Sequence, residues 1–598
     1  MPDASAKDLF TDKPLIKRSD HTKIIGLSAT GLKPGVRRRL EGLGRRKVPA
    51  YQVISPELSR DLAHISFESG RQIGLLIGRD GSVETVLVGD PRSLYIPDLP
   101  KSRGGRQRLR GLRLVHTHLN SEPLSQDDLM DLVFLRFDCV GAVYVDRHGG
   151  ATQLEVAHIL PGNADGLRGW EVLAPMPCYD PDLDFLALVR SIEDELERNR
   201  LAIPATAHGE DPAVLVSVTD SDRESAKTSM DELVELARTG GIVAADTVIQ
   251  RQRQKNPKYF IGKGKLSEIV LRALQCGVDL LIFDQELNPS QVRAITDTTE
   301  LRVVDRTQLI LDIFAQRAQS REGKIQVEMA QLKYLLPRLG VKDDALSRLT
   351  GGIGTRGPGE TTLEINRRRT KTRIAQLEED LSNLRMRRNL RRAKRTRKEM
   401  PTISIVGYTN AGKSTLLNSL THSSVFVEDK LFATLDPISR RLRFPRDFEV
   451  IITDTVGFIR DLPKDLMESF SATLEELLDA DLLLHVIDIS NGQFEEQMVA
   501  VERTLTKLEL HTKPAITVFN KTDLVPADFV ERKVRKHGGI GISATNPRTL
   551  EPLILAMQDH IAGFMDRAVP FTTETQRTRS GEEVIEFSDV HRPLMPAH

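Results

Sequence analysis

At 598 residues the chain is longer than one hydrophobic core usually supports, so three or four domains are expected. Its 84 lysines and arginines equal its 84 aspartates and glutamates, which leaves no net field to pull the whole molecule onto nucleic acid or membrane; any such attraction must be local. Three widely separated cysteines, Cys139, Cys178 and Cys276, argue against a disulfide framework and for a reducing compartment, the cytoplasm by default. The opening MPDASAKDLFTDK lacks a long apolar core and no run of about 18 apolar residues occurs, so neither secretion nor a membrane span is expected.

Residues 1–20 read as disordered, and 21–200 as an α+β extension in which the helical pattern SPELSRDLAHISFES alternates with strand-like IGLLIG, VETVLVG and LRLVHTHL. In LRLVHTHL, His116 and His118 alternate, which turns both rings to one side of a strand; Asp128 can complete a three-ligand zinc site, with Ser125 near its water. Past a polar Pro- and Ala-containing passage, VLVSV, DLLIFD and LRVVD are spaced by helical segments, which predicts a small parallel α/β domain over 213–310. A helical tract over 311–399, running from about Gln308 to Met400, follows. It is broken by the glycine-rich stretch Gly351–Gly359 into two helices and a loop. Ile374, Leu377, Leu381 and Leu384 form an apolar seam suited to a helical pair, and RMRRNLRRAKRTRK from Arg385 to Lys398 concentrates positive charge. A further α/β domain spans 400–565, and the tail 566–598 is polar. The fold class is therefore α/β multidomain.

The buried-strand pattern TISIV runs directly into Gly407-Tyr408-Thr409-Asn410-Ala411-Gly412-Lys413-Ser414 and a helical TLLNSL, the strand–loop–helix context of a phosphate-binding P-loop. Inward-turned amides and Lys413 suit the phosphates of a nucleotide, and Ser414 suits Mg²⁺. The strand VIITD ends in Asp454-Thr455-Val456-Gly457, where a carboxylate can reach Mg²⁺ through water and the Gly457 N–H can sense a γ-phosphate. Phe432-Ala433-Thr434-Leu435-Asp436 lies between them, in the place of a first switch, with Thr434 as the second protein ligand to Mg²⁺. AITVF leads into Asn520-Lys521-Thr522-Asp523, and GIGI into Ser543-Ala544-Thr545. Asp523 can accept both the N1 and N2 protons of guanine, a donor pair that adenine lacks. Phe458 follows Gly457 where many GTPases carry a water-orienting glutamine, so unaided hydrolysis should be slow. Asn410 matches GTPases that use K⁺ in place of an arginine finger, and equally fits a structural asparagine.

The segments GYTNAGKST, DKLFATLDP, DTVGFIRDLP and NKTD, preceded by GGIGTRGPGETTLE and DRTQLILDIFAQRAQSREGKIQVEMAQLKYLLPRL, resemble the HflX family of ribosome-associated GTPases over roughly Val214 to Phe564. The resemblance implies Mg²⁺-dependent GTP hydrolysis and a chain that binds GTP and GDP. It also implies binding to the large ribosomal subunit and its rRNA through 214–400, the glycine loop pointing toward the peptidyl-transferase region, and the splitting of stalled ribosomes. Arg385 to Lys398 suit rRNA phosphates. The expected protein is cytoplasmic, ribosome- or membrane-peripheral, and monomeric.

Two alternatives stand beside that reading. Tyr259-Phe260-Ile261-Gly262-Lys263-Gly264-Lys265 can accept phosphate, which allows an ATP-dependent RNA remodeller powered by the middle domain, although the full P-loop spacing is absent. The His116/His118/Asp128 cluster and RQIGLLIG look like the metallopeptidase-type JAB fold, which allows an isopeptidase fused to a GTPase switch. Against it, the His118-to-Ser125 spacing is one residue short and Arg71 stands where the catalytic glutamate belongs, so zinc-assisted hydrolysis is disfavoured and bound Zn²⁺ is not expected.

Overall fold

The computed structural model describes residues 23–568 except 26–31, 98, 100–108, 162–168, 180–181, 202–210, 221, 342–361, 397–399, 422–430, 433, 436, 445–448 and 461–476. Three sheets succeed one another along the chain. The first has eight strands, β1 (Lys23–Ile25), β2 (Ile73–Gly78), β3 (Val83–Val88), β4 (Leu112–Leu119), β5 (Cys139–Val145), β6 (Ala151–Ile159), β7 (Trp170–Val172) and β8 (Met176–Pro177), in the order β1-β3-β2-β4-β5-β6-β7 with β8 on β6. β2 and β5 are buried along their whole length, as the apolar runs IGLLIG and CVGAVYV require of central strands covered on both faces. Helices α1 (Pro34–Leu43), α2 (Pro56–Ser69), α3 (Gln126–Phe134) and α4 (Phe185–Leu201) accompany this sheet. The Ser55 hydroxyl caps α2, and Ser125 and Asp128 form a reciprocal capping box on α3.

The second sheet is wholly parallel: β9 (Asp211–Thr219), β10 (Ile242–Arg251), β11 (Leu280–Phe283) and β12 (Arg302–Asp305), ordered β10-β9-β11-β12. Its helices are α5 (Arg223–Thr239), α6 (Lys263–Gln275), α7 (Pro289–Thr299) and α8 (Arg306–Arg317). From β9 the chain turns to opposite sides to reach β10 and β11, so a crevice opens at the carboxyl ends of β9 and β11, the place where open α/β sheets take ligands.

The helical tract differs from the sequence expectation at its start. Rather than one helix from Gln308 to the glycine stretch, α8 ends at Ala318, which is extended, and α9 (Arg321–Leu335) begins anew with the Ser320 hydroxyl accepting the Gly323 N–H at 2.9 Å. A cap that strong offers the backbone an alternative to continuing the helix. The long helix Thr362–Thr396 then packs Leu377 and Leu381 against Ile325 and Met329 of α9, with Leu384 alongside, so three of the four residues of the predicted seam make this contact. The glycine-rich stretch 351–360 and the arginine and lysine side chains of 385–398 lie outside the described residues.

The third sheet comprises β13 (Thr402–Gly407), β14 (Ile438–Arg443), β15 (Glu449–Asp454), β16 (Leu482–Asp488), β17 (Ala515–Asn520) and β18 (Ile540–Gly541), in the order β14-β15-β13-β16-β17-β18. Only β14 runs antiparallel among the strand pairs described. Ile403, Ile405, Leu484 and Val518 of its strands meet Leu416 of the helix Lys413–Thr421 and Leu553 of the helix Glu551–Ala568 in one core. Among the described residues no helix is long and apolar enough to cross a membrane.

Candidate nucleotide site

The phosphate loop, Asp454–Gly457, Asn520–Asp523 and Ser543–Thr545 gather at the carboxyl edge of the third sheet because they follow its parallel strands β13, β15, β17 and β18, whereas Thr434, between the helix Lys413–Thr421 and antiparallel β14, meets them through Ser414. β13 ends at Gly407 and the helix Lys413–Thr421 starts at the lysine, so the loop between them must turn its amides toward the helix N-terminus. Gly412 sits at φ 87°, and a Cβ there would lie 2.3 Å from Asn520 Nδ2; only glycine permits both the turn and the approach. The Lys413 side chain is buried, and its ammonium donates to the Tyr408 carbonyl at 2.7 Å. Burial pulls that ammonium down to about 8, with Asp454 opposing the shift. On β16, burial and then Lys413 pull His485 down to about 4, so the imidazole beside the lysine is neutral.

Ser414 Oγ donates to Asp454 Oδ2 at 2.6 Å and lies 2.7 Å from Thr434 Oγ1. Asp454 is fully buried, burial raises its carboxyl despite Lys413, and its Oδ1 has no hydrogen-bond partner. Two hydroxyls and an orphaned carboxylate oxygen make a hard, all-oxygen donor set, which fits Mg²⁺ rather than a thiophilic metal. Of the expected first switch, Phe432, Thr434 and Leu435 are placed, whereas Ala433 and Asp436 lie outside the described residues.

The second switch lies along the phosphate loop. Thr409 donates its N–H to the Phe458 carbonyl at 2.7 Å, and Phe458 donates to the Gly407 carbonyl at 3.1 Å. Gly457 comes so close that a Cβ would stand 2.9 Å from Lys413 Nζ and 3.0 Å from Thr409 Cα. A side chain at that position would therefore compete with the lysine for space.

On the base side, Asn520 is a strap. Its Nδ2 donates to the Ala411 carbonyl at 2.8 Å and its Oδ1 accepts the Ala544 N–H at 2.9 Å, joining the phosphate loop, the end of β17 and the segment Ser543–Thr545. Lys521 pairs with Asp488 at 2.7 Å, and the short 3-10 turn Thr522–Leu524 presents Asp523 to solvent. Ser543 Oγ and Thr545 Oγ1 are 2.9 Å apart. The arrangement brings Lys413, Ser414, Thr434 and Asp454 together on one edge, strapped by Asn520 to the segment Ser543–Thr545, with Asp523 exposed beside it.

Comparison with known proteins agrees. Residues 227–315 match the family described as GTP-binding GTPase N-terminal, 317–395 the GTP-binding GTPase middle region, and 402–521 the 50S ribosome-binding GTPase domain. The GTPase HflX of Lacrimispora saccharolytica is 48% identical over 345 residues, covering 58% of this chain and 82% of the relative. The chain belongs to the HflX GTPase family. It is 42% identical to the Escherichia coli HflX over 358 residues, 59% of this chain and 83% of that one. A solved GTP-binding protein from Sulfolobus solfataricus in complex with GDP shares 25% identity, with 60% of this chain and 100% of that chain covered at a TM-score of 0.32.

Membership in the HflX family makes the chain a GTP-binding enzyme that hydrolyses GTP. It gives no support to the ATP-driven alternative, and the local structure explains why. In the middle domain Tyr259, Phe260 and Ile261 are buried as core, and Lys265 is held by Glu268 at 2.8 Å.

The family matches begin at residue 227 and leave the first sheet unassigned. There the histidine pair does converge with its aspartate. His116 Nε2 and His118 Nε2 stand 2.8 Å apart on β4, and Asp128 of α3 lies 3.2 and 3.5 Å from them, both rings being buried. The three ligand atoms fall within 4.8 Å of one another. Ser125 is not poised over open space: it caps α3 and donates to Asp128 Oδ2 at 2.6 Å. Opposite His116 across the strand pair is Gly74, where a Cβ would be 2.5 Å from Leu94 Cδ2; Arg71 lies before the strand. No carboxylate from β2 serves the cluster as a base.

What the sequence did not disclose is the seam between the middle and nucleotide-binding domains. Phe432 is buried and stacks edge-on against Phe314 of α8, centroids 4.6 Å apart. The Leu431 N–H reaches Thr239 Oγ1 at 3.3 Å. The Tyr408 hydroxyl donates to Glu232 of α5 at 3.1 Å and accepts the Arg460 N–H at 2.8 Å.

Proposed function

We propose that this GTPase acts on the large ribosomal subunit and separates stalled ribosomes, using nucleotide state to set its grip. The observation that carries the reading is the match of 402–521 to a 50S ribosome-binding GTPase domain, on a chain whose Lys413, Ser414, Thr434 and Asp454 converge at one edge. In this reading Gly407–Ser414 cradles the phosphates, Ser414 and Thr434 hold Mg²⁺ with Asp454 behind them, and Asp454–Gly457 senses the γ-phosphate. Asn520–Asp523 with Ser543–Thr545 selects guanine. The basic run over 385–398 and the glycine stretch 351–360 are the contacts for rRNA, on phosphate attraction and on fit to a crowded RNA cavity. The protein works in the cytoplasm as a monomer.

Sedimentation with purified large subunits and a non-hydrolysable GTP analogue tests the partner. Co-sedimentation with the analogue, weaker with GDP, and faster hydrolysis on adding subunits are expected; a chain that stays in the supernatant and ignores subunits overturns the reading. Running the hydrolysis in K⁺ and in Na⁺ tests whether Asn410 recruits a monovalent cation.

A second reading concerns the first sheet. Two buried imidazoles with their Nε2 atoms facing each other, His118 Nδ1 held by the Glu122 carbonyl at 2.8 Å, and an aspartate at the same point suit a divalent metal such as Zn²⁺. Metal analysis of the purified full-length protein should find about one equivalent, lost in His116→Ala; metal-free wild-type protein after growth in zinc-supplemented medium ends this reading. With Gly74 facing His116, the site is structural or docking rather than proteolytic.

A further inference from the structure

The ligand crevice of the middle domain is already occupied, and the occupant belongs to the nucleotide site. At the carboxyl ends of β9 and β11, Asp284 accepts Ser217 Oγ at 3.2 Å, Ser229 Oγ at 2.6 Å and Arg306 at 2.8 Å. Arg306 also donates to Glu232 at 2.6 Å and, more loosely, to the Arg460 carbonyl at 3.4 Å. Burial disfavours the Arg306 charge, but Glu232 and Asp284 outweigh it and hold the guanidinium ionised. Into this closed charge network comes the ring of Tyr408, itself only 6% exposed.

Tyr408 touches three elements at once. Its carbonyl accepts the Lys413 ammonium, its hydroxyl accepts the backbone N–H of Arg460 in the second switch, and the same hydroxyl donates to Glu232. Arg460 lies just past Gly457, the amide expected to meet a γ-phosphate, and Phe458 between them is tied to both Gly407 and Thr409. A shift of Gly457 toward or away from phosphate therefore pulls on Arg460, on the Tyr408 hydroxyl, and on a carboxylate of α5. On the first switch, the Phe432–Phe314 stack gives α8 a parallel contact. Coupling of this kind needs a physical link, and a single hydroxyl bridging two domains supplies one.

We propose that Glu232 and Arg306 are positioning residues for GTP hydrolysis, which hold the second switch through the Tyr408 hydroxyl and carry nucleotide state into the middle domain. The proposal rests on the nucleotide-site reading above. A preorganised switch backbone costs no reorganisation during reaction, so losing the tether should act on turnover rather than on nucleotide binding.

The test uses full-length protein carrying Glu232→Ala or Glu232→Gln. In Glu232→Ala, kcat should fall about tenfold with KM and GDP affinity within about twofold of wild type. Glu232→Gln keeps an acceptor oxygen for Tyr408 and should retain more than about a third of the rate. Hydrogen exchange supplies a readout that simple destabilisation does not mimic. Replacing GDP by a non-hydrolysable GTP analogue should change protection on α5 and α8 in wild type; in Glu232→Ala the change should persist around Asp454–Arg460 and vanish from both helices. Wild-type helices blind to the nucleotide, an unchanged kcat in Glu232→Ala, or a kcat loss matched by a rise in KM would each overturn the proposal. Wild-type protein that binds neither GDP nor the analogue would instead count against the nucleotide site itself.

Discussion

Lys413→Ala is expected to weaken GTP binding by at least about a hundredfold, equivalent to about 2.7 kcal/mol, just below the roughly 3–5 kcal/mol for removing one partner of a buried charge pair. The lysine is buried at the start of its helix, and its ammonium is aimed at the loop by the Tyr408 carbonyl. Calorimetric titration in Mg²⁺ checks the value, with a thermal melt to show that the variant folds despite the orphaned Asp454. An unchanged affinity would remove the phosphate assignment altogether. The same side chain predicts a pH dependence. Burial brings its ammonium to about 8 in the free protein, and phosphate must raise that value in the complex because anions favour the charged form. Binding is therefore at full strength below about pH 8 and declines above it, by up to about tenfold per pH unit, with proton uptake on binding in that window. Affinity that is flat from pH 7 to 9.5 contradicts the assignment.

Asp523→Asn should exchange guanine for xanthine preference. A carboxylate accepts both the N1 and N2 protons of guanine, whereas an amide offers an N–H to the 2-oxo group that xanthine carries instead. Charged hydrogen bonds of this kind contribute about 1.5–3 kcal/mol each, so GTP affinity should fall by about a hundredfold while that for XTP rises. The turn Thr522–Leu524 presents Asp523 to solvent, beside the Lys521–Asp488 pair, so the substitution disturbs no buried partner. Competition between the two nucleotides for the wild type and the variant measures the switch. Equal losses for GTP and XTP would show that Asp523 acts on the fold rather than on the base.

Most of the motifs proposed for the nucleotide were legible because they follow parallel strands, where apolar runs and glycines are local signals; the segment around Thr434, between a helix and antiparallel β14, has no such signal. The zinc-like cluster was legible for the same kind of reason: alternation on β4 aims His116 and His118 to one side, and one helical cap brings Asp128 to meet them. β10 escaped notice because only one of its ten residues is buried, six being half-exposed and three exposed, so neither a continuous apolar run nor a clean alternation marks it. The break between α8 and α9 was signalled only by Ser320 ahead of Glu322, a weak cue inside a strongly helical tract. Contacts between domains left no trace. Tyr408 and Glu232 are 176 residues apart, and nothing in either neighbourhood announces the other.

One amide side chain, that of Asn520, grips both Ala411 and Ala544, so the loop proposed to hold the phosphates is tied to the segment proposed to read the base. On that reading, a nucleotide whose base fits badly is expected to disturb its own phosphate contacts. Selectivity should consequently show up in turnover as well as in occupancy, so that an incorrect triphosphate, even at saturating concentration, is processed sluggishly.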